Sequence, residues 1–534
     1  MSNPEQDRRD DRVAAGSPAR RRIDRLLMAL DRLILGIFFR RVEVVGSERL
    51  PAGGPMVVVA NHVNGMVDPL LIVSALAVPA PAGRAGNVRA SQSPRLPRLP
   101  RFLGKHTLWR NPVLRPWLIL AGVIPIYRRS DAGGEGFGPV DPARNADAFA
   151  RCHEVLAAGG AIALFPEGLS HSQPALAPLK TGAARIVLEA ERKFPGLGTR
   201  IVPVGLTFDA KGTFRSRALV QLGEPIDPAP EVALSAARPA GDAAAVHALT
   251  ARIDRGLQEV TLNYGSWDEA RLIGRAAEVF WRGADSADGA DRANGSNRAD
   301  LRGAGRLAAR FSLHRAFIEG YAELRRRFPE RTAAAAAAVE RYDRLLAAFG
   351  LRDEQVAAAY PLSPAVRFVG RTVLRLLLYL PLAALGTLLN WPTYRLVGAI
   401  AGRATREPDM PATYKVFGGL VLFPLTWVVE AVAAGRNAGP WAALAVLILA
   451  PVSGYVALRF DDRRASFWRE ARAYLVLHGR RRLAAELESR REEAARAVAE
   501  LAALADPRRA AGSADVAPPA AARSDPGAVE KGRE

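Results

Sequence analysis

The residues able to do chemistry in the first half of the chain stand where short apolar runs end. In VVVANHVNGMVDPL, from Val57 to Leu70, a run rich in β-branched residues delivers Asn61 and His62, and Asp68 with Pro69 follows. A histidine titrates near neutral pH, so it can take up and return a proton, and a carboxylate a few residues on can fix which ring nitrogen carries it. His62 as a base with Asp68 as its orienting partner is one reading. Asp68 as a helix cap beside a polar loop histidine is the other. Further on, Pro166 and Gly168 constrain the backbone around Glu167, where a tight turn alone does not call for a carboxylate. Arg128 follows GVIPIY, and a guanidinium there can hold a phosphate through two parallel charge-assisted hydrogen bonds. Lys180, Arg215 and Arg217 add cations that can reach such an anion or stand exposed in solvent.

The elements that must position these residues read as an α/β sheet. Short strands are predicted at VEVVG from Val42, at the run before His62, at GVIPIYRR from Gly122, AIALFPEG from Ala161, IVPVGLTF from Ile201 and ALVQLGEPI from Ala218. Helical stretches around 69–77, 144–158 and 179–193 separate several of them, which places catalytic loops at strand ends in a sheet that need not be purely parallel. Ahead of the sheet, RRRIDRLLMALDRLILGIFFRR from Arg20 carries Ile23, Leu26, Leu27, Leu30, Leu33, Ile34 and Ile37 at helical spacing between arginines. That is a basic amphipathic helix, suited both to packing on its own domain and to a membrane interface. The proline- and cation-rich SPRLPRLPRFLGKHTLWRNP is expected as a surface loop or short helices.

A chain of 534 residues has room for a catalytic core and further modules. Its net charge of +20 suits anionic partners such as phospholipid surfaces or phosphorylated substrates. Nucleic acid is disfavoured, because the arginines are scattered and no aromatic-interleaved platform is visible. Cys152 is the only cysteine, which excludes an intramolecular disulfide and any cysteine-rich metal site. It lies in a helix-like stretch as a small buried residue, so it is not a candidate nucleophile.

The order NHVNGMVD, GVIPIYR, FPEG, IVPVGL resembles the four motif blocks of the glycerolipid acyltransferase superfamily, over roughly residues 40 to 270. By that resemblance His62 and Asp68 are the catalytic pair, and Asn61, Arg128, Glu167 and Gly168 belong with binding of a phosphorylated acceptor. Two departures mark this chain: five residues separate His62 from Asp68 where the usual block has four, and Pro125 replaces the usual Phe of the second block. The longer spacing, FPEGLSH, PLKTGAA and FRSRALVQLGEPI look like the fungal membrane-bound glycerol-3-phosphate/dihydroxyacetone-phosphate acyltransferases. The implied reaction moves a fatty acyl group from a thioester donor, acyl-CoA or acyl carrier protein, to the sn-1 hydroxyl of glycerol-3-phosphate or dihydroxyacetone phosphate. No cofactor is expected. With no Gly-x-Ser-x-Gly elbow in the sequence, direct attack by the acceptor is more economical than an acyl-enzyme. The rival readings are a lysophosphatidate acyltransferase and a non-catalytic lipid-binding membrane protein.

Seven segments are expected. Residues 1–19 form a tail without the apolar core of a signal peptide, 20–275 the acyltransferase domain, 283–304 a flexible linker, and 305–365 a helical extension. Residues 371–460 form a membrane-embedded region, 461–505 an arginine-rich helix, and 506–534 a second tail. Two runs, from Val416 and from Pro440, are each close to the ~20 residues that cross a bilayer. They are read as a hairpin, and the segment from Arg371 as interfacial, re-entrant or a hairpin of its own. The arginines beyond Phe460 place both hairpin ends, and the catalytic domain, on the cytoplasmic side.

Overall fold

The computed structural model describes residues 18–77, 99–111, 114–127, 142–211, 213–237, 241–285, 306–356, 362–404 and 411–505. Contacts divide the chain into two compact units. One holds Met1–Ala270, Asn294–Leu313 and Tyr360–Tyr474, the other Arg271–Ala293, His314–Ala359 and Leu475–Glu534.

The first unit opens with helix α1 (Pro18–Phe38), which passes directly into strand β1 (Phe39–Val45). Strand β2 (Met56–Ala60), helix α2 (Val67–Leu76), strand β3 (Arg101–Lys105), helix α3 (Arg115–Ala121) and strand β4 (Ile124–Ile126) follow. Then come α4 (Pro142–Ala157), β5 (Ala161–Leu164), α5 (Gly182–Lys193), β6 (Arg200–Phe208), β7 (Ser216–Leu222), α6 (Ala229–Ala237) and α7 (Gly241–Val260). The sheet order is β1-β7-β6-β2-β5-β3-β4, parallel except for the antiparallel β6–β7 pair. β3 corrects the sequence reading, which took its proline-rich surroundings as loop or helix. Leu103 to Lys105 pair with β4, and Arg101 and Phe102 with β5.

β2 is the central strand, flanked by β5 and β6, and its Val57 to Ala60 are fully buried. Strands buried on both faces read as continuous β-branched runs, which is why VVVA carries no polar alternation. Helices cover both faces, α2 on one and α4, α5 and α7 on the other. The parallel strands β2, β4, β5 and β6 all release their loops at one edge of the sheet, and antiparallel β7 begins there. Open α/β sheets bind ligands at that carboxyl edge.

α1 is apolar on more than one side. Met28, Leu35 and Phe38 are buried against the sheet, while Leu26, Leu33 and Ile37 are exposed. The helix therefore packs on its own domain and also presents an apolar ridge outward.

Three described helices are long and apolar enough to cross a membrane: Gly370–Arg403, Thr413–Ala438 and Pro440–Gly479. They lie in α12 (Leu362–Ala404), α13 (Pro411–Ala438) and α14 (Pro440–Gly479). The segment from Arg371, with Pro381 and Pro392, is one helix rather than a hairpin of its own. A polar cluster joins the three. Asn390 donates to Ala450 O at 3.1 Å and accepts from Trp427 Nε1 at 2.8 Å, and Gly386 lies where a Cβ would meet Ser453 O at 2.0 Å. Small residues at such crossings let helix backbones approach closely. Both ends of the α13–α14 hairpin reach the seven-stranded sheet and the loops at its edge. Thr413 Oγ1 accepts from Met66 N at 3.0 Å and Val416 joins the sheet core, while Asp462 pairs with Arg40 at 3.2 Å and with Arg215 at 3.0 Å.

In the second unit the ring hydroxyl of the buried Tyr342 donates to Asp353 at 2.8 Å, which also accepts from Arg491 at 3.0 Å, and Arg275 pairs with Asp343 at 2.6 Å. These join α8 (Trp267–Asp285), α10 (Pro329–Phe349), the short α11 (Asp353–Val356) and α15 (Arg481–Ala505); α9 (Arg306–Arg327) lies between α8 and α10 in the chain. The arginine-rich helix expected over 461–505 is two helices, because α14 continues to Gly479 before α15 begins.

Because both hairpin ends contact the sheet, Asp461→Cys and Ala438→Cys should react with an impermeant thiol reagent from opposite sides of a sealed membrane. The native Cys152 is fully buried and stays silent. Labelling of both positions from one side would contradict the hairpin.

Candidate active site

The loop leaving β2 folds back onto one buried oxygen. Asp68 is fully buried, and its Oδ2 accepts from His62 Nδ1 at 2.9 Å and from the backbone N–H groups of Val63 and Asn64 at 2.8 Å each. The sequence suggested Asp68 as a cap, yet helix α2 already starts at Val67, and Asp68 sits in its first turn with its carboxylate turned back over the loop. The five-residue spacer closes as a turn: Val67 N donates to Asn64 O and Asp68 N to Gly65 O, with Gly65 at φ +53°. That left-handed conformation suits glycine, which has no Cβ to clash. The extra residue is absorbed there without separating the pair.

His62 stacks on Phe165 with ring centroids 4.0 Å apart and 12° between planes. With Nδ1 donating to Asp68, the neutral ring leaves Nε2 with its lone pair, the arrangement a general base requires. His62 also lines a largely apolar cavity of about 830 Å³, whose other walls include Leu30 and Ile34 of α1, Phe102 of β3, and Trp117 and Leu118 of α3. That volume lies within the ~300–1,000 Å³ common for small-molecule sites. β3, absent from the sequence reading, thus supplies part of the wall.

Glu167 is buried, and its carboxylate is fully engaged. Oε1 accepts from His62 N at 2.8 Å, while Oε2 accepts from Ala177 N at 2.8 Å and pairs with His171 Nε2. Gln173 N donates to His171 Nδ1 at 3.1 Å, which puts the ring proton on Nε2, facing Glu167. His171 N in turn donates to His62 O at 3.1 Å. The structure therefore gives Glu167 a positioning role for the His62 backbone, where the sequence reading set it against the acceptor. Gly168, at φ +76°, shapes the turn, and its amide donates to Phe165 O at 3.0 Å.

The remaining sequence candidates separate. Asn61 is not turned to a ligand: its amide donates to Leu206 O at 3.1 Å and accepts from Leu206 N at 2.7 Å, tying β2 to β6. Arg215 is likewise structural. Its buried guanidinium donates to Gly36 O at 3.1 Å, Ile37 O at 3.4 Å, Phe39 O at 3.2 Å and Asp462 at 3.0 Å. Arg217 pairs with Asp209 at 2.6 Å. Lys180 is exposed, its stem lying 3.3 Å from the position a Cβ on Gly168 would take. Arg128 lies outside the described residues. Sequence reasoning passed over Lys211, whose ammonium donates to Val63 O at 2.9 Å and His171 O at 3.2 Å and so joins the loops that carry His62 and Glu167. It follows β6 in a polar turn with no motif of its own. Cys152, fully buried and with its thiol pushed up to about 12 by burial, is no nucleophile.

Residues 41–207 match the family described as Acyltransferase, and residues 304–510 match that described as Glycerol-3-phosphate acyltransferase 2 C-terminal domain. Among curated relatives, the Glycerol-3-phosphate O-acyltransferase 1 of Saccharomyces cerevisiae is 35% identical over 125 residues, covering 23% of this chain and 16% of the relative. The Glycerol-3-phosphate O-acyltransferase 2 of the same yeast is 26% identical over 313 residues, covering 55% of this chain and 39% of the relative. The 1-acyl-sn-glycerol-3-phosphate acyltransferase of Borreliella burgdorferi is 27% identical over 166 residues, covering 31% of this chain and 51% of the relative. The matches thus span well under two thirds of these relatives' own lengths.

Arg215→Ala removes the buried partner of an ion pair with the half-buried Asp462 and leaves backbone carbonyls unsatisfied, a cost of about 1–3 kcal/mol. The expected outcome is a clearly lowered thermal midpoint in detergent. An unchanged midpoint would show that the guanidinium does not hold α1, β7 and α14 together.

Proposed function

Residues 41–207 are an acyltransferase-family domain, and from that premise we propose that the protein is a membrane-embedded O-acyltransferase acting on glycerol-3-phosphate. The observation that carries this reading is the 2.9 Å contact from His62 Nδ1 to a fully buried Asp68, beside an apolar cavity that His62 itself lines. The cavity suits the hydrocarbon of an acyl thioester. Asp68 holds the proton on Nδ1, so Nε2 takes the proton of the sn-1 hydroxyl as it attacks the thioester carbonyl. The thiol of acyl-CoA or acyl carrier protein then leaves, reprotonated by the same nitrogen. No further cofactor is needed for these steps.

A small phosphorylated acceptor has no acyl tail to anchor it, so cations must hold its phosphate. Arg215 is committed to backbone carbonyls and Asp462, and Arg217 to Asp209, which leaves Lys180 and Arg128 as its ligands, with the Lys211 charge behind the loop. The match of residues 304–510 to a glycerol-3-phosphate acyltransferase C-terminal domain supports this acceptor over a lysophospholipid. The exposed ridge of α1 and the hairpin hold the cavity at the bilayer surface, where acyl donors partition and products are released. The catalytic face is then cytoplasmic, in keeping with the arginine-rich sequence that follows the hairpin.

His62→Ala should lower kcat by about 10²- to 10⁴-fold while the protein stays folded and membrane-bound. Wild-type turnover in that variant would overturn the assignment. On an acceptor panel the purified wild type should acylate glycerol-3-phosphate or dihydroxyacetone phosphate. Activity confined to lysophosphatidate would keep the acyltransferase and reject this acceptor.

A further inference from the structure

One buried carboxyl on the helix that walls the cavity has no role in the steps above. Asp31 of α1 lies on the cavity wall between Leu27, Leu30 and Ile34, with Val73 of α2 and Leu118 of α3 among the apolar side chains lining the same space. It is 4% exposed, and both of its carboxyl oxygens are buried without a hydrogen-bond partner among the described residues. Burial pushes its pKa up to about 8, with the neighbouring Arg32 opposing the rise only in part. At neutral pH the group is therefore mostly an uncharged carboxyl, able both to donate and to accept a hydrogen bond.

An unpaired carboxyl is costly in such a wall, because a polar group taken out of water without a partner loses its hydration and gains nothing in return. Leucine or isoleucine would fill the same helix position without that cost, and the flanking positions carry them. A plain hydrocarbon chain leaves Asp31 unsatisfied. Turned toward the cavity, the Asp31 carboxyl meets a chain that carries a hydroxyl where it passes this helix position, and such a site discriminates more strongly than one merely fitted to apolar shape.

We propose that Asp31 is a specificity-determining residue that selects acyl donors carrying a hydroxyl group on the hydrocarbon chain. This rests on the acyltransferase reading of the cavity. The test compares a saturated long-chain acyl-CoA with counterparts of the same length hydroxylated near the thioester, at mid-chain or near the terminal methyl. Each is assayed as donor with the full-length wild type, Asp31→Asn and Asp31→Leu. For one hydroxyl position the wild type should show kcat/KM about 10-fold or more above that for the plain chain. Asp31→Asn, which keeps a donor and an acceptor, should retain most of that preference. Asp31→Leu should reverse it, raising kcat/KM for the plain donor and lowering it for the hydroxylated one. Wild-type enzyme that uses no hydroxylated donor better than the plain chain overturns the proposal, as does a preference that survives Asp31→Leu. Failure to transfer any acyl chain to any phosphorylated acceptor would instead reject the acyltransferase reading on which the proposal rests.

Discussion

Three N–H groups converge on a single oxygen of a fully buried carboxylate, and the geometry of the loop that carries His62 depends on that convergence. Asp68 Oδ2 accepts from the His62 ring and from the Val63 and Asn64 amides, each at 2.8–2.9 Å. Charge-assisted bonds of this kind contribute about 1.5–3 kcal/mol each and offset the cost of burying the charge. They also dictate the path of the backbone. To bring two consecutive amides and a side chain to one point, the chain must turn sharply between Asn64 and Val67, and Gly65 supplies the left-handed residue that turn needs.

Around that point residues of the other motif blocks act as supports. Glu167 receives the His62 amide, His171 closes onto the His62 carbonyl, and Lys211 ties the Val63 and His171 carbonyls together. The loops come from β2, β5 and β6, adjacent strands that end at the same edge of the sheet. Parallel order puts their carboxyl ends side by side, so residues far apart in sequence need no long excursions to meet. The same edge receives the hairpin of apolar helices through Thr413 and Asp462, which brings the His62 loop, the apolar cavity and the bilayer-sized helices into one structural unit.

Much of this was legible in the sequence because the signals were physical. β-branched runs too short for helices marked the buried strands, and His62, Asp68 and Glu167 stood out because they interrupt or follow those runs. β3 was hidden by the prolines before it, since a five-residue strand between prolines and a short helical turn carries no periodicity of its own. Arg215 and Asn61 misled for a different reason: residue type reveals that a group can bind an anion or a ligand, but not that its donors are already committed to backbone carbonyls across the sheet. Glu167 shows the same limit, for its rigid turn was recognised while its partners, the His62 and Ala177 amides, lie elsewhere in the chain. Asp31 looked like one more polar position on an amphipathic helix, and only the tertiary structure shows it turned inward.

With its buried carboxylate on the ring, Asp68 should fix the proton of His62 on Nδ1 and leave Nε2 unprotonated. Nitrogen NMR of protein labelled with ¹⁵N-histidine, with the His62 signals assigned by difference against His62→Gln, reads this directly. At neutral pH the expected spectrum has a protonated Nδ1 and an Nε2 with the shift of an unprotonated ring nitrogen, and that tautomeric bias is lost in Asp68→Asn. A wild-type His62 protonated mainly on Nε2, or a tautomer indifferent to Asp68→Asn, would contradict it.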